Sequence, residues 1–528
     1  MHFGLTAPSV AKALTVVAAA TALHFTLTAA TDWPYSMYVT AATVASLLAA
    51  LTITYRDRTI GGWFTHRRNC THRIPRLTQM LSHNNTAILW DHTTGHASIL
   101  IEITPKPFSL NILDENGTWS SPKLKLDPIR NELRQFDIEL HDLTLVTAGY
   151  TYAHQNDLAK VAFTTTGPIN AIAYGRTYLR VTLDTATSAN SITARQIDSY
   201  TDPRETLAAG VARTLQIASS RAHRAISLQG FNAQKLSKTQ AAQLHRHNTA
   251  LLGPDAIANE GFGYAGKNAP YLVAFTPAAK DADRIHDDWL RATTEPCVSI
   301  TRMSPAASGT DHVERLYCNR VQRLDTVALA EASGLRKEFG QHAAIATTAL
   351  PLAVPPPVTA VPKTTLPADA MTTAHTTAGG VGIYLGYTLD GTKRVWMDPT
   401  VACEEPLWIV GSRQAVELLL VRAATLGLRI DVRATALTPV ARSLRSAGIS
   451  AHDRPDITIT ALGDQYDSSA PVRIVWTEYK IEQTPRYLID AATTPGILHV
   501  RTVDHDVKVR WEFNSAEKAL LAQAFARR

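Results

Sequence analysis

The sequence predicts an α/β fold (mixed α+β) in which an N-terminal two-helix transmembrane hairpin precedes a mixed-sheet soluble body with a C-terminal βαβ-containing subdomain. Two stretches without Asp, Glu, Lys or Arg occupy residues 13–30 and 37–55. After them, strand-like and helix-like patterns of apolar residues alternate along the chain, which is typical of α/β and α+β proteins. A strand–helix–strand pattern at residues 406–432 has the length of a βαβ unit.

Each uncharged stretch is long enough to cross the hydrocarbon core of a bilayer, which requires roughly 17–25 helical residues. The loop between them, residues 31–36, carries Trp33 and Tyr35, which are typical aromatic anchors at a membrane interface. Ala and Thr are frequent in both stretches and favour helix–helix packing in lipid. The alternative is a cleaved signal peptide before a single span, but Lys12 is the only Lys or Arg ahead of the first stretch.

The positions of the arginines predict that both ends of the hairpin lie in the cytoplasm. The loop contains Asp32 and no Lys or Arg, whereas the second stretch is followed by Arg56, Arg58, Arg67, Arg68, Arg73 and Arg76. These arginines also suit contact with anionic lipid headgroups. We therefore expect a two-pass protein of the inner (plasma) membrane, with the N-terminus and the soluble body in the cytoplasm.

An ionisable residue, His24, lies within the first stretch. Inside a membrane span, such a residue is a candidate functional group. We favour the simpler interpretation, a neutral histidine that is hydrogen-bonded to the neighbouring helix.

Composition argues against several classes of function. The formal charge of +6 comes without a long basic tract interleaved with aromatic residues, so we expect no nucleic-acid partner. Reduced thiols rather than a disulfide framework are indicated by the four widely spaced cysteines, Cys70, Cys297, Cys318 and Cys403. Cys70 lies near His66 and His72, but no second pair of ligands follows at zinc-site spacing, so we predict no metal.

We divide the chain into four segments. Residues 1–60 form the hairpin, 61–345 a cytoplasmic α+β domain, 346–378 a Pro/Thr-rich linker and 379–528 a cytoplasmic α/β domain. The linker segment is rich in Pro, Thr and Ala. It is either a semi-rigid, partly polyproline connector or a segment that wraps across the surface of the body.

In the first domain, alternating apolar runs and turn residues predict the strands, and helical spacing predicts the helices. The predicted elements are a hairpin at 86–103, strands at 107–113, 143–152, 178–183, 225–231, 271–275, 297–303 and 315–321, and helices at 128–140, 204–226 and 237–253.

Residues at helix ends support two of these helices. Asp127 and Pro128 favour a helix start. In the helix that follows, apolar residues recur at Ile129, Leu133, Phe136 and Leu140. Ser237 and Gln240 have the spacing of a capping box, and Gly253 is a typical C-terminal stop.

The second domain begins with a hairpin that turns at Asp390 and Gly391. In the βαβ unit, Ser412 is the expected N-cap of a helix over 414–426, and Gly427 is its expected stop. The remaining predicted elements are a helix at 436–447, strands at 456–462, 472–478, 497–503 and 507–513, and a final helix capped by Asn514.

Two D-x-D patterns, Asp281/Asp283 and Asp504/Asp506, have the spacing of carboxylates that can hold a divalent cation bound to a sugar nucleotide. They motivate the alternative function, a membrane-associated glycosyltransferase-like enzyme. Aspartates are also common in turns, where the second pattern falls. Because no nucleophile, base and orienting group assemble along the sequence, we predict no enzyme, no catalytic, cofactor-binding or metal-binding residue, and no cofactor.

Three further features favour ordinary structural explanations. Gly411 and Ser412 lie between a strand and a helix, where a phosphate can bind, but the glycine-rich fingerprints are absent. Residues 379–382 (Gly-Gly-Val-Gly) are expected to allow close approach of two backbones. His245 and His247, near a helix end, are expected to be solvated or to cap carbonyl groups.

Other residues favour binding over catalysis. Glu132, Arg134 and Asp137 flank the apolar stripe of the helix predicted at 128–140. Four tryptophans lie in or beside strands and serve either as core residues, which we favour, or as interface anchors; they are Trp90, Trp396, Trp408 and Trp511.

The order of these features resembles the EccE family of the type VII (ESX) secretion system. The resemblance includes the N-terminal hairpin with its Arg-rich continuation. It also includes short matches at residues 85–91, 133–140, 143–149, 381–386, 390–391, 408–411 and 420–432.

This resemblance implies a non-enzymatic structural subunit. EccE-like proteins lie at the periphery of a hexameric inner-membrane complex with EccB-, EccC- and EccD-like subunits, near the mycosin protease. The resemblance therefore predicts a membrane-anchored subunit that supports the assembly or stability of the translocon. It assigns no catalytic residue.

Overall fold

Two sheets organise the part of the chain that the structure, a computed structural model, describes. The described residues are 3–5, 18, 21–22, 24–26, 28–29, 36–55, 58–59, 76–77, 79–115, 119–152, 158–167, 169, 171–196, 202–277, 296–306, 310–332, 334–355, 358, 364–366, 374–446, 455–464, 470–482 and 484–526. Within them the protein is a mixed α/β protein dominated by sheets, as the sequence predicts.

A small three-stranded sheet lies at the N-terminus, beside the helix α1 (Ser36–Thr52). Its strands are β1 (Phe3–Leu5), β2 (Ile53–Tyr55) and β3 (Arg58–Thr59).

The first large sheet has eleven antiparallel strands among the described residues. Its central path runs β17-β14-β16-β15-β11-β12-β6-β5-β4, with β13 on β6 and β18 on β16. These strands are β4 (Gln79–His83), β5 (Thr86–Asp91), β6 (His96–Thr104), β11 (Asp142–Tyr150), β12 (Tyr174–Asp184), β13 (Asn232–Lys235), β14 (Tyr271–Pro277), β15 (Cys297–Pro305), β16 (Asp311–Val321), β17 (Leu335–Lys337) and β18 (Thr364–Leu366).

Helices cover both faces of this sheet, so its central strands are buried on both sides. The accompanying helices are α2 (Asp127–Arg130), α4 (Ala189–Thr193), α5 (Pro203–Ser227), α6 (Lys238–Leu252), α7 (Pro254–Ala258), α8 (Val327–Ala332) and α9 (His342–Thr348); α3 (Leu158–Thr166) instead packs on the helices of the second large sheet. Val211 and Leu215 of α5 pack on one face, while Leu244 of α6 and Ile345 of α9 pack on the other. The predicted capping box of α6 is confirmed, because Ser237 and Gln240 bond reciprocally.

The second large sheet has ten strands in the described residues, in the order β23-β24-β25-β22-β26-β27-β28-β20-β21-β7. Its strands are β7 (Leu110–Leu113), β20 (Ile383–Thr388), β21 (Arg394–Met397), β22 (Leu407–Gly411), β23 (Ile430–Val432), β24 (Ile457–Ala461), β25 (Val472–Thr477), β26 (Leu488–Ala491), β27 (Ile497–Arg501) and β28 (Asp506–Arg510). The helices are α10 (Arg413–Thr425), α11 (Thr438–Ser446) and α12 (Ser515–Ala526).

The predicted βαβ unit is present as β22, α10 and β23, which belong to the parallel half of this sheet. The two strands are not neighbours, because β24 and β25 lie between them. The sequence did not predict β26, a short strand that pairs in parallel with β22.

The described parts of residues 346–378 lie on the body, as the wrapping alternative expects. Leu350 is fully buried, and β18 pairs with β16. Further along, β19 (His375–Thr377) pairs with β8 (Lys123–Lys125). In addition, β7 pairs with β21, so a strand from residues 61–345 belongs to the sheet of residues 379–528.

The prediction of a helix over residues 128–140 is wrong. One helical turn, α2, and a 3-10 turn (Asn131–Leu133) lead into a tight hairpin of β9 (Arg134–Gln135) and β10 (Ile138–Glu139). Phe136 has φ +53° at the turn and is 95% exposed. The apolar spacing fits a hairpin as well as a helix, because Leu133 and Leu140 both face the core from opposite sides of the hairpin. Leu140 N–H donates to Leu133 C=O at 2.9 Å.

The prediction of a strand over residues 225–231 is also wrong. Helix α5 continues to Ser227, because Ala225 and Ile226 complete its buried stripe. The chain then turns through Gly230, at φ +86°, before β13 begins.

Candidate functional site

The N-terminal segment that the sequence predicts to be a helical hairpin is the first candidate site. Strand β1 pairs with β2 in the register Phe3 with Tyr55, so residues that precede the first uncharged stretch meet the last residues of the second. His24 Nδ1 lies 3.4 Å from Thr40 Oγ1 of α1, which confirms the predicted hydrogen bond to the neighbouring helix. Phe25 and Tyr38 are 67% and 65% exposed.

Helix α1 has 17 residues and no charged residue in its first or last turn. Among the described residues, no helix reaches both the length and the apolar character needed to cross a bilayer. Most of the first uncharged stretch, the loop and most of the predicted arginine cluster lie outside the described residues, whereas Arg76 is described and exposed.

The two aspartates of the second D-x-D pattern pair with different basic side chains. Lys106 Nζ donates to both carboxylate oxygens of Asp504 at 2.9 and 3.0 Å. Asp506 instead binds His499 and Arg501, and the hydrogen bond from His499 lowers the pKa of Asp506. In the described chain, no group of three or more His, Cys, Asp or Glu is arranged to hold a metal ion. Asp281 and Asp283 lie outside the described residues, as do Cys70, His66 and His72.

The turn at Gly411 and Ser412 has a structural role. Ser412 Oγ accepts from Gln414 N–H at 3.2 Å, which confirms the predicted N-cap. Gly411 has φ +101°, and a Cβ there would lie 2.5 Å from the backbone nitrogen of Ala492. The carbonyl oxygen of Gly411 accepts from Trp476 Nε1 at 3.2 Å. The turn is therefore packed against protein.

Residues 379–382, here called the glycine seam, join the two large sheets by close backbone contact. Val381 N–H donates to Ile172 C=O at 2.8 Å, and Gly382 N–H donates to Ala173 C=O at 2.9 Å. A Cβ on Gly382 would lie 2.0 Å from the carbonyl oxygen of Met397. The predicted close approach of two backbones is thus confirmed.

A buried carboxyl group, Asp398, lies beside the glycine seam. Its Oδ1 accepts from Thr400 N–H at 2.8 Å and from Thr400 Oγ1 at 2.6 Å. Its Oδ2 is enclosed and has no partner in the described part of the chain. Burial raises the pKa of Asp398 to about 6, although the hydrogen bonds from Thr400 oppose this shift. The sequence did not single out Asp398, since Asp-Pro-Thr is an ordinary turn pattern.

The prediction that His245 and His247 are solvated or cap carbonyl groups is wrong for His247. The Nε2 atom of His247 is enclosed without a partner among described residues, and the ring lies 6.0 Å from that of Tyr174. Burial, with a smaller contribution from Arg176, lowers the pKa of His247 to about 4. The imidazole is therefore neutral near pH 7 and lies half-buried against Tyr174.

A buried charge cluster of His141, Asp142, Arg180 and Arg302 lies on the first large sheet, and the sequence did not predict it. Asp142 Oδ2 accepts from Arg302 Nη2 at 3.0 Å and lies 3.0 Å from His141 Nδ1. Asp142 Oδ1 accepts from Thr144 Oγ1 at 2.8 Å. Arg180 Nη2 donates to the same Thr144 hydroxyl at 3.0 Å.

Both Asp142 and Arg180 are completely buried. Burial opposes ionisation of Asp142, but the hydrogen bond from His141 and the charges of Arg302 and Arg180 outweigh it and hold the pKa of Asp142 well below its usual value. Backbone carbonyls of Thr348 and Leu350 close over Arg180 at 3.4 and 3.5 Å. The cluster thus holds the start of the segment predicted as a linker against the sheet.

Two of the four tryptophans and two cysteines are core residues. Trp90 and Trp396 are buried, and Trp408 and Trp511 are half-buried. The thiols of Cys297 and Cys318 are free, and burial raises the pKa of each. Their packing makes a structural role the simplest explanation.

The residues predicted to flank a helix are instead found around the β9–β10 hairpin. Arg134 pairs with Asp311 at 2.6 Å, and Asp137 pairs with Arg195 at 2.6 Å. Glu132 lies near Arg221; burial raises the pKa of Glu132, and the charge of Arg221 partly offsets this shift. These contacts hold the β9–β10 hairpin, whose turn exposes the aromatic side chain of Phe136.

Compared with known proteins, the chain matches no family model and no curated protein. The fold alone therefore defines its class, a sheet-dominated mixed α/β protein with an uncharged helical segment near its N-terminus.

Proposed function

We propose that this protein is a structural, membrane-anchored subunit of a type VII (ESX) secretion complex, and that it supports the assembly or stability of the inner-membrane translocon. The observation that carries the proposal is the pairing within the N-terminal segment, residues 3–55, of β1 with β2 and of His24 with Thr40. The pairing of β1 with β2 gives its two ends one common side. Its described aromatic side chains are largely exposed, and such apolar surface favours lipid or a partner as its cover.

In this proposal the hairpin crosses the inner membrane twice and packs beside a multi-span partner, while the body lies in the cytoplasm. Tethering raises the effective concentration of the body for a second, weaker contact with the same complex. The resemblance to EccE proteins names the partners: EccB-, EccC- and EccD-like subunits, with the mycosin protease nearby.

The alternative, a glycosyltransferase-like enzyme, has little support from the described residues. Asp504 and Asp506 are paired with protein cations instead of facing a common site.

Deleting residues 1–55 is expected to release the protein from the membrane and to abolish its co-purification with the complex. The physical reason is the loss of tethering, which leaves only the weaker contact of the body. The measurement is membrane flotation followed by affinity purification of the tagged chain.

A chimera in which an unrelated two-helix anchor replaces residues 1–55 is the matched control. If the hairpin only tethers, the chimera recovers both membrane association and assembly; if it also packs specifically, membrane association alone returns. Full assembly of the deleted protein would contradict the proposal. A thermal shift with a sugar nucleotide and Mg²⁺ would favour the enzyme, because a ligand at 100 times its Kd stabilises by about 2.7 kcal/mol.

A further inference from the structure

An aromatic side chain, Phe136, is displayed at the tip of the β9–β10 hairpin. It is 95% exposed and has a positive φ of +53°. For a bulky residue this backbone conformation costs free energy, and glycine or asparagine suits such a turn better. Among the described residues, the Phe136 ring makes only one cation–π or aromatic contact, with the guanidinium group of Arg221, and this contact is small compensation for the strain. The placement of Phe136 therefore points to a role in binding another molecule.

The tip that carries Phe136 is held by contacts on both sides. Arg195 binds both carboxylate oxygens of Asp137, at 2.6 and 2.9 Å. On the other side, Arg134 binds Asp311 at 2.6 Å. Such a preorganised anchor loses less conformational entropy when a partner binds.

Helix α5 extends the surface next to Phe136. The Arg221 guanidinium lies 4.6 Å from the centre of the Phe136 ring. Along the same side of α5, exposed residues recur at helical spacing, namely Arg213, Ile217, Arg224 and Leu228 just past its end. Ile217 is 39% exposed and Leu228 is 77% exposed. We call Phe136, Arg213, Ile217, Arg221, Arg224 and Leu228 the Phe136 surface.

The Phe136 surface is positively charged. Among described residues, neither Arg213 nor Arg224 forms an ion pair, and the nearby carboxylate of Asp137 is already neutralised by Arg195. Of the other acids near the hairpin, Glu139 lies opposite Arg134 in the β9–β10 pair, and burial makes the ionisation of Glu132 less favourable. Arginine and aromatic side chains at the centre of a rigid patch are typical of protein-binding hot spots.

We propose that the Phe136 surface docks an acidic amphipathic helix of a partner protein. The apolar face of that helix covers Phe136, Ile217 and Leu228, and its carboxylates pair with the three arginines. From Arg213 to Leu228 the surface spans about 22 Å at 1.5 Å per residue, which matches a helix of about four turns. Helical spacing and a fixed aromatic tip favour a helix over a lipid surface, which imposes no such register.

This docking surface and the N-terminal hairpin are formed by different parts of the chain, so its test is independent of the proposed function. The probe is a labelled synthetic helix of about 18 residues with leucines on one face and glutamates on the other. Its twin carries lysine in place of every glutamate. Binding to the full chain in a non-ionic detergent is measured by fluorescence anisotropy, at two salt concentrations.

The acidic helix is expected to bind, to weaken with salt and to bind Phe136→Ala at least about tenfold more weakly. Phe136→Gly is expected to lose binding equally while melting at the same or a higher temperature, because glycine relieves the positive φ. That pair of results separates docking from a structural role. Arg221→Gln with Arg224→Gln is expected to remove the preference for the acidic helix over its twin.

Tyr479→Ala is the matched control, since Tyr479 is 79% exposed elsewhere on the molecule; it is expected to bind the acidic helix as the wild type does. The inference is overturned if the acidic helix fails to bind at about 1 mM, if its lysine twin binds equally, or if Phe136→Ala leaves binding unchanged. Flotation with phosphatidylglycerol-containing vesicles is a further outcome. If Phe136→Ala weakens attachment of a hairpin-deleted chain to vesicles but not to the helix, the surface belongs to lipid and the proposal fails.

Discussion

Replacing Asp142 with asparagine is expected to lower the free energy of unfolding by about 3–5 kcal/mol, because breaking a buried ion pair leaves an uncompensated buried charge. The carboxylate is completely buried and lies between Arg302 and His141. It also accepts hydrogen bonds from Thr144 and Thr182. Denaturation by urea in detergent, followed by tryptophan fluorescence, measures the change.

Two further variants test the cause of that loss. Asp137→Asn removes a carboxylate from an exposed pair with Arg195 and is expected to change stability little. Adding Arg180→Met to Asp142→Asn removes the second buried charge and is expected to restore part of the lost stability, because the unpaired charge causes much of the penalty. Equal loss in the single and double variants would contradict this explanation.

The pH dependence of Asp142 has a defined direction. Because its pKa is lower in the folded protein than in the unfolded chain, its stabilising contribution is fully present above the unfolded value of about 4. The contribution declines as the pH falls toward the folded pKa. The acid-unfolding curve of Asp142→Asn is therefore expected to be flatter than that of the wild type below about pH 4.

Local rules in the sequence are sufficient for much of the fold. Ser237 and Gln240 form a capping box wherever such a helix is placed, and Ser412 caps α10 for the same local reason. The glycines at 380 and 382 indicate backbone approach because no other residue tolerates the contact. Local rules failed at Phe136, where one apolar spacing fits both a helix and a hairpin.

The buried charge cluster could not be derived from the sequence, because it depends on strand register. Asp142 faces Thr182 across one strand pair, and Thr144 faces Arg302 across another. Neither register is fixed by a local pattern, and a shift of one residue would turn each side chain to the opposite face. Arg180, a charged residue inside the apolar run of β12, was the available signal. A charge at such a position requires a buried partner.

The hairpin and the Phe136 surface lie on different parts of the chain, and their physical demands differ. The hairpin needs a cover for apolar side chains, which a bilayer or a neighbouring span provides. The Phe136 surface needs a partner that supplies negative charge to Arg213 and Arg224. Together, the two proposals describe a protein that joins two neighbours at once.

Replacing Asp398 with asparagine is expected to stabilise the protein above pH 6 and to remove a pH dependence from it. Burial raises the folded pKa of Asp398 from 3.8 to about 6. Below about pH 4 the carboxyl is protonated in both states and has no effect on unfolding. Between about pH 4 and 6 the unfolded chain releases the proton while the folded chain keeps it, so the wild type loses stability as the pH rises.

The shift of about two pKa units corresponds to about 3 kcal/mol of lost stability above pH 6 in the wild type. In Asp398→Asn the new amide carries no charge at any pH, and its oxygen can still accept both hydrogen bonds that Thr400 donates to Asp398. The gain in the free energy of unfolding is expected to be about 1–3 kcal/mol. It is reduced because the new amide N–H groups take the place of the unpaired Oδ2 and find no acceptor among the described residues. Urea denaturation at intervals from about pH 4 to 8 measures it.

The matched control is Asp390→Asn, because Asp390 has the same Asp-x-Thr arrangement with Thr392 but is exposed in a hairpin turn. Hydrogen bonds from Thr388 and Thr392 lower the pKa of Asp390 to about 2, so its substitution is expected to act in the opposite direction. The loss of stability is expected to be constant above about pH 4 and to disappear only as the pH falls below that value. The stability curves of Asp398→Asn and the wild type should converge toward pH 4 and separate as the pH rises. A constant difference across this range would mean that the carboxyl group beside the glycine seam ionises normally, and that water reaches the junction of the two sheets.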